Sequence, residues 1–275
     1  MRRTPAEVRE AVACVVDGGW GTERQFHSAF SFYASFPGSF PFVAVKDERI
    51  VGTATGNWYG RTGWVGHVFV PPEMRGFGLG RRLTETAIEQ LRKLGCKTIS
   101  LAATELGYPL YKAMGFKRQT EYHEMRGVSL PRTTGLHPLR PMLPSDRPRL
   151  GVLDRRVSGE SRGYLLPHFS GYGWCLDRGE AMGGAVLPTP WGGAIASLLP
   201  GASEAEAMAL LRGLRTLGGM GGEVIVYVPT ENSSGLALLH AEGFEELRLV
   251  PRTVLGDPVK WTPSAVWNTF SMGLG

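Results

Sequence analysis

Residues 104–116 and 232–244 share one spaced pattern, and this internal repeat restricts the fold more than any other feature of the 275 residues. Thr104-x-x-Gly107-x-x-x-Tyr111-x-x-x-Gly115-Phe116 aligns with Asn232-x-x-Gly235-x-x-x-Leu239-x-x-x-Gly243-Phe244 at a constant offset of 128. Each copy follows an apolar strand pattern, at 98–102 or 224–228, and each of those strands follows an amphipathic helix. A Gly-Phe pair after a helix is an ordinary stop followed by a strand. Repetition of the neighbouring elements in the same order points instead to a duplicated domain. Five prolines, Pro131, Pro138, Pro141, Pro144 and Pro148, mark the boundary. The expectation is a first domain over 1–130 and a second over 131–275.

The first half reads as two helices followed by strands that alternate with helices. Thr4 caps a helix carrying Val8, Val12 and Val15, with Pro5 at its first position. A second helix follows Gly21. Strand patterns cover 42–46, 50–58 and 64–70, and a helix with Leu83, Ala87, Leu91 and Leu94 on one face comes next. This order predicts an α/β fold with a twisted mixed sheet flanked by helices.

Between the third strand and that helix lies Val70-Pro71-Pro72-Glu73-Met74-Arg75-Gly76-Phe77-Gly78-Leu79-Gly80-Arg81-Arg82. A strand, a glycine turn and a helix make an anion site, because the first helical amides point outward unpaired beside the positive end of the helix dipole. Two other phosphate loops are excluded. A Walker loop ends in Gly-Lys-Ser/Thr where this one has Gly80-Arg81-Arg82, and the dinucleotide fingerprint needs GxGxxG where this is GxGxG.

The segment Val70-x-Pro72-x-x-Arg75-Gly76-x-Gly78-x-Gly80 resembles the pyrophosphate-binding motif of the GNAT N-acetyltransferases. Tyr111-x-x-x-Gly115-Phe116 resembles that family's downstream motif, and together the two cover about residues 64–117. The resemblance implies tandem GNAT-like domains, a layout found among bacterial members, and acetyl-CoA as co-substrate with no metal. It implies that Arg75, Gly76, Phe77, Gly78, Leu79, Gly80 and Arg81 hold the pyrophosphate. It implies further that Val68, Phe69 and Val70 pair their backbone with the pantetheine arm, and that Tyr111 lies beside the thioester sulfur. Thr104 stands where the family often has asparagine, and its hydroxyl is the expected pantetheine contact.

The reaction so implied is attack of a neutral amine on a thioester. It needs a donor for the oxyanion, for which the Val68 amide or a neighbour is the candidate, and a proton for the departing thiolate, for which Tyr111 is the candidate acid. The base stays open among Glu105, Glu121, His123 and a water chain. Strand alternation sets His67 on the face opposite Gly66, Val68 and Val70, a structural position.

The second half reads Leu198-Leu199-Pro200-Gly201-Ala202-Ser203-Glu204-Ala205-Glu206 where the loop would be. Ser203 and Glu206 form a capping-box pattern that satisfies the helix internally, and the tyrosine position is Leu239. This copy is expected to be degenerate and to shape the acceptor cleft or an interface. The stretch 164–174 and the turn 191–193 are candidates to line that cleft, with plain packing the commoner role for such residues.

The acceptor expected is a primary amine of a small molecule or peptide; a non-catalytic acyl-CoA-binding regulator and a protein-lysine acetyltransferase are the alternatives. The net charge of +5 comes without the dense basic runs of a nucleic-acid stripe, so no nucleic-acid partner is expected. No apolar stretch reaches the ~18 residues of a membrane span. Cys14, Cys96 and Cys175 are isolated, as expected of reduced thiols in the cytoplasm.

Overall fold

The computed structural model of the chain describes residues 4–131, 135–163, 165–169, 173–189, 193–217, 219–220, 222–269 and 271–275. Parts of the two stretches expected to line the cleft, residues 164, 170–172 and 191–192, lie outside the described residues. The first half opens with α1 (Pro5–Asp17) and α2 (Glu23–Ser35). Both start on capping boxes: Thr4 Oγ1 accepts from the Glu7 amide at 3.2 Å, and Thr22 Oγ1 from the Gln25 amide at 3.4 Å. Strands β1 (Ser39–Lys46), β2 (Arg49–Tyr59) and β3 (Thr62–Phe69) follow, then α3 (Leu79–Lys93), β4 (Thr98–Ala102), α4 (Tyr108–Ala113) and β5 (Lys117–Val128). Helix α3 lays Leu83, Ala87, Ile88 and Leu91 on the sheet, as its period predicts.

The second half contains β6 (Arg140–Pro141), α5 (Arg147–Ser158), β7 (Trp174–Arg178), β8 (Ala181–Pro188) and β9 (Ala194–Leu198). It continues with α6 (Glu204–Leu217), β10 (Gly219–Met220), β11 (Glu223–Pro229), α7 (Ser233–Ala241), β12 (Glu245–Leu255) and β13 (Val266–Asn268). The repeat is visible in three dimensions. Thr104 Oγ1 accepts from the Gly107 amide at 3.1 Å, and Asn232 Oδ1 accepts from the Gly235 amide at 3.0 Å, one capping bond at two positions 128 apart.

The strands form an eight-stranded sheet, ordered β1-β2-β3-β4-β12-β5-β11-β10, and a five-stranded sheet, ordered β13-β9-β8-β7-β6. The large sheet runs across position 130/131. Strand β12 lies between β4 and β5, antiparallel to both, while β5 lies between β12 and β11. Lys117 faces Val254 and Arg126 faces Glu245. Because 117 and 245, and 126 and 254, are each 128 apart, the β5/β12 pair maps onto itself under a pseudo-twofold rotation. This is the self-complementary pairing of an isologous dimer, written into one chain.

Buried polar groups knit the halves together. Trp64 Nε1 donates to Glu160 Oε1 at 2.7 Å, beside an Arg162–Asp154 pair internal to the second half. Arg252 lies 4.1 Å from the Trp261 ring centroid and 4.8 Å from that of Trp64. It donates to the Tyr122 hydroxyl at 2.8 Å and to Gln119 Oε1 at 2.9 Å, so a nearly inaccessible guanidinium is satisfied on every side. The last residues of the sequence tuck under β2 and β3. Asn57 Nδ2 donates to the Gly273 carbonyl and the Tyr59 hydroxyl to that of Leu274, each at 2.9 Å, and a Cβ on Gly66 would fall 2.4 Å from the Gly273 Cα.

Strand β3 carries a bulge. Thr53 faces Phe69 while Thr55 faces Gly66, so β3 spends one residue more than β2 over the same stretch. His67 takes up the extra residue with φ +51°, and the Thr53 and Thr55 hydroxyls hold the His67 and Gly66 carbonyls at 2.8 and 3.0 Å. The alternation argument for His67 therefore fails, because it assumes an unbroken pleat. The residue as a whole is only partly buried, but its ring sits 5.0–5.9 Å from the rings of Phe26, Phe30 and Tyr33, and Nδ1 is buried without a hydrogen-bond partner among the described residues. Burial lowers its pKa from 6.5 to about 4.

Two outcomes are expected. Since β12 fills the position between β4 and β5, thermal unfolding followed by calorimetry and circular dichroism gives one coincident transition; two separated transitions would show halves that fold independently. His67 binds a proton more readily in the unfolded chain than in the native one. Stability therefore falls as pH drops below 6.5 and continues to fall until about pH 4, by about 2–3 kcal/mol for this group. His67→Phe abolishes that part of the loss between pH 7 and 4.5 whatever its effect at neutral pH. An unchanged acid sensitivity of the denaturation midpoint would show the imidazole to be uninvolved.

Candidate active site

Strands β3 and β4 run parallel and pair only from Thr62–Trp64 to Thr98–Ser100. Beyond that point Leu101 and Ala102 pair with β12, and β3 and β4 diverge. The β3 backbone from Val65 to Phe69 thus faces an opening rather than a partner strand, with the bulge at its centre. Val68 lines the cavity there, and Phe69 is buried beside Trp20, ring centroids 5.2 Å apart.

At the far end of β3 the chain turns through Val70 and a short 3-10 turn into the glycine loop. Arg75 Nε donates to the Val70 carbonyl at 3.0 Å, which fixes the start of the loop to the end of the strand. Gly76 (φ +82°) and Gly78 (φ +76°) take left-handed conformations, and a Cβ on either would point into open space. The glycines are there for their dihedrals, not for close packing. Gly78 caps α3 without a side chain, and no acidic residue occupies the first turn. The first amide to bond within the helix is that of Arg82, to the Gly78 carbonyl at 3.1 Å. The amides of Leu79, Gly80 and Arg81 are the ones an α-helix leaves without intrahelical partners. Arg81 is exposed and 3.5 Å from Glu85, and Phe77 is exposed in the loop.

The corresponding helix α6 is closed. Glu206 Oε2 accepts from the Ser203 amide at 2.7 Å and Ser203 Oγ from the Glu206 amide at 3.4 Å. Arg178 pairs with Glu206 at 2.5 Å, and Leu239 is fully buried.

The β3/β4 opening leads into a cavity of about 720 Å³ whose walls come from both halves. Tyr111 and Thr104 line it from α4 and the turn before it. The Tyr111 ring packs on Phe116 and against Gly107, where a Cβ would fall 2.8 Å from the ring. Burial pushes the Tyr111 hydroxyl up to about 12. Thr104 lines the cavity while its Oγ1 accepts the Gly107 amide, so the hydroxyl keeps its proton for donation.

None of the three side chains proposed from sequence as bases faces this cavity. His123 is engaged by Glu246 and Thr230, and Glu121 accepts from Arg118 at 3.0 Å. Glu105 is exposed on the turn before α4. Glu124 is the carboxylate brought inside. It lies in a cross-strand row with Tyr227 of β11 and Arg248 of β12, each its direct partner in the ladder, and Arg248 Nε donates to it at 2.5 Å. Thr269, Asn268 and Gly273 also line the cavity, Asn268 Oδ1 accepting from the Tyr227 amide at 2.8 Å, and Thr269 Oγ1 is buried without a hydrogen-bond partner among the described residues. Sequence reasoning missed Glu124, Tyr227 and Arg248 because the row exists only once β12 is inserted. Among the described residues, no group of three His, Cys, Asp or Glu side chains is placed to hold a metal ion, and no helix is long and apolar enough to cross a membrane.

Comparison with known proteins agrees with this geometry. Residues 7–116 match the model of the acetyltransferase (GNAT) family. A stretch of 106 residues is 27% identical to the thialysine N-epsilon-acetyltransferase of Bos taurus, covering 38% of this chain and 62% of that protein. Among solved structures, an acetyltransferase candidate from Pyrococcus horikoshii superposes over 100% of this chain and 95% of its own, with a TM-score of 0.82 and 19% identity. A tandem GNAT protein from the clavulanic acid biosynthesis pathway superposes over 93% of this chain and 97% of its own, with a TM-score of 0.57 and 17% identity. The shared fold thus extends over both halves, and residues 7–116 carry the match to the acetyltransferase (GNAT) family.

Proposed function

We propose that the chain transfers an acetyl group from acetyl-CoA to a primary amine of a small molecule or peptide. The observation that carries this reading is continuity. An open helix start stands at one end of β3, unpaired β3 backbone follows it, and a buried tyrosine lines the cavity beyond. Residues 1–130 supply the transfer chemistry, and 131–275 are a degenerate copy that completes the acceptor cleft. The bovine relative is named for acetylation of an amine, which supports the reaction class. The proposal is of a cytoplasmic protein, without membrane or nucleic-acid partners.

The residues present suit coenzyme A. The amides of Leu79, Gly80 and Arg81, the loop of Arg75, Gly76, Phe77 and Gly78, and the positive charge of Arg81 fit a pyrophosphate. The backbone of Val68, Phe69 and Val70 suits the amides of the pantetheine arm, with the Thr104 hydroxyl facing it. The Val68 amide, at the bulge, is the donor for the developing oxyanion. The attacking amine must be neutral; its nitrogen bonds the acetyl carbon, the C–S bond breaks, and the sulfur takes a proton from Tyr111. The proton that the nitrogen gives up passes through water to restore the phenol. With its pKa raised to about 12, Tyr111 stays protonated across the working range, so it is placed to give the sulfur its proton and not to act as a base.

Titration calorimetry is expected to give one acetyl-CoA per chain. Arg81→Glu puts a carboxylate where the helix dipole accepts it, so the fold survives, but the charge reversal weakens coenzyme binding tenfold or more. Two equivalent sites, or unchanged affinity in that variant, would remove the loop from the reading. Tyr111→Phe is expected to lower kcat by ~10²–10⁴-fold with little change in acetyl-CoA affinity. Full kcat would make Tyr111 a packing residue.

A further inference from the structure

The Glu124 row differs from an ordinary surface ion pair in what it leaves free. Glu124 is held in the middle strand with its side chain nearly inaccessible. Tyr227 flanks it on one side, and burial followed by the Glu124 charge pushes that phenol upward, so the tyrosine is a neutral neighbour. On the other side Arg248 uses its Nε on Glu124, and neither Nη1 nor Nη2 has a hydrogen-bond partner among the described residues. The guanidinium is half exposed and lines the cavity that also reaches Tyr111. Its Nε bond fixes the plane of the fork, and the remaining N–H groups form the edge that a planar anion meets bidentately.

We infer that Arg248 is the specificity residue for the acceptor, and that the acceptor is an amine that also carries a carboxylate, such as an amino acid. This rests on the acetyl-transfer reading above and names its substrate class. An arginine already paired with one carboxylate binds a second without strain: in this same chain Arg140 bridges Asp146 and Asp177. The other charges near the site favour a monoanion over a dianion. Glu223 lines the same cavity as Glu124, and Glu105, outside the lining, is near enough to Arg248 to interact electrostatically, so a phosphate would meet two cavity carboxylates against one free guanidinium edge. Thr269 also lines the cavity, and its buried hydroxyl, without a hydrogen-bond partner among the described residues, is a second polar group available to a ligand. Glu124 is then a positioning residue: it aims Arg248 and touches no substrate.

The test compares acceptors that differ only in the anion. Thiol release from acetyl-CoA is measured with 4-aminobutanoate against propylamine, and with lysine against 1,5-diaminopentane; 3-aminopropyl phosphate tests the dianion. The carboxylated member of each pair is expected to show at least a tenfold higher kcat/KM. Arg248→Met is expected to erase that advantage by raising KM for 4-aminobutanoate about tenfold, with propylamine turnover and acetyl-CoA affinity unchanged. Glu124→Gln, which loosens the aim but keeps the guanidinium, is expected to raise the same KM by a smaller factor. Equal turnover of both members, a preference for the phosphate, or an Arg248→Met loss shared by propylamine would overturn this inference while leaving acetyl transfer standing. Failure of the chain to bind acetyl-CoA or to release thiol with any of these amines would overturn both.

Discussion

Insertion of β12 between β4 and β5 is the constraint on which the rest of the structure depends. A lone copy of the first half would leave β4 and β5 each with an unpaired edge in the middle of its sheet, which exposes a row of backbone donors and acceptors. Each half closes the gap in the other, and the register of β5 on β12 follows the twofold that a dimer of identical copies would have used. Covalent linkage of the copies turns a concentration-dependent association into an intramolecular one. It also frees the two copies to diverge, because a substitution in one is no longer imposed on both.

Divergence is legible wherever the pseudo-twofold relates a used position to a lost one. The loop before α3 leaves helical amides open, while Ser203 and Glu206 close those of α6. A capped helix is more stable by about 0.5–2 kcal/mol, so an uncapped glycine start is the arrangement that has to be explained, and an anion that supplies the missing partners explains it. Glu124 and Arg252 occupy positions 128 apart. One is a carboxylate at the cavity with an arginine beside it; the other is an arginine enclosed by Trp64, Trp261, Tyr122 and Gln119. The same two ladder positions serve recognition on one side of the axis and cohesion on the other.

Much of this was readable from the chain alone, for local reasons. The Thr4 cap with Pro5 behind it, the period of Leu83, Ala87 and Leu91, and the Ser203/Glu206 box are signals within a few residues of one another, and each appears as expected, while Leu94 ends the helix exposed rather than on its buried face. The repeat at offset 128 likewise has its counterpart in the paired capping bonds of Thr104 and Asn232. What the sequence hides is non-local. No spacing announces that β12 leaves its own half, and so nothing joins Glu124 to Arg248 across 124 positions. The bulge at His67 is hidden for a different reason. Its cause is the pair of Thr53 and Thr55 hydroxyls on the neighbouring strand together with the close approach of Gly273, none of which is adjacent in sequence.

The bulge and the strand insertion also explain why a cavity forms at this place and not elsewhere along the sheet. Parallel strands β3 and β4 pair only as far as Trp64 and Ser100; beyond them β4 keeps its other edge on β12, while β3 spends an extra residue at His67. Unpaired backbone in a partly buried groove costs about the desolvation of each group left without a partner, ~1–3 kcal/mol apiece. That cost is tolerable where the groups face solvent or a ligand that hydrogen-bonds along an extended chain. The shared sheet holds β4 on its β12 edge, and the vacant edge between β3 and β4 is the place where, on the proposed reading, an elongated amide-bearing arm fits.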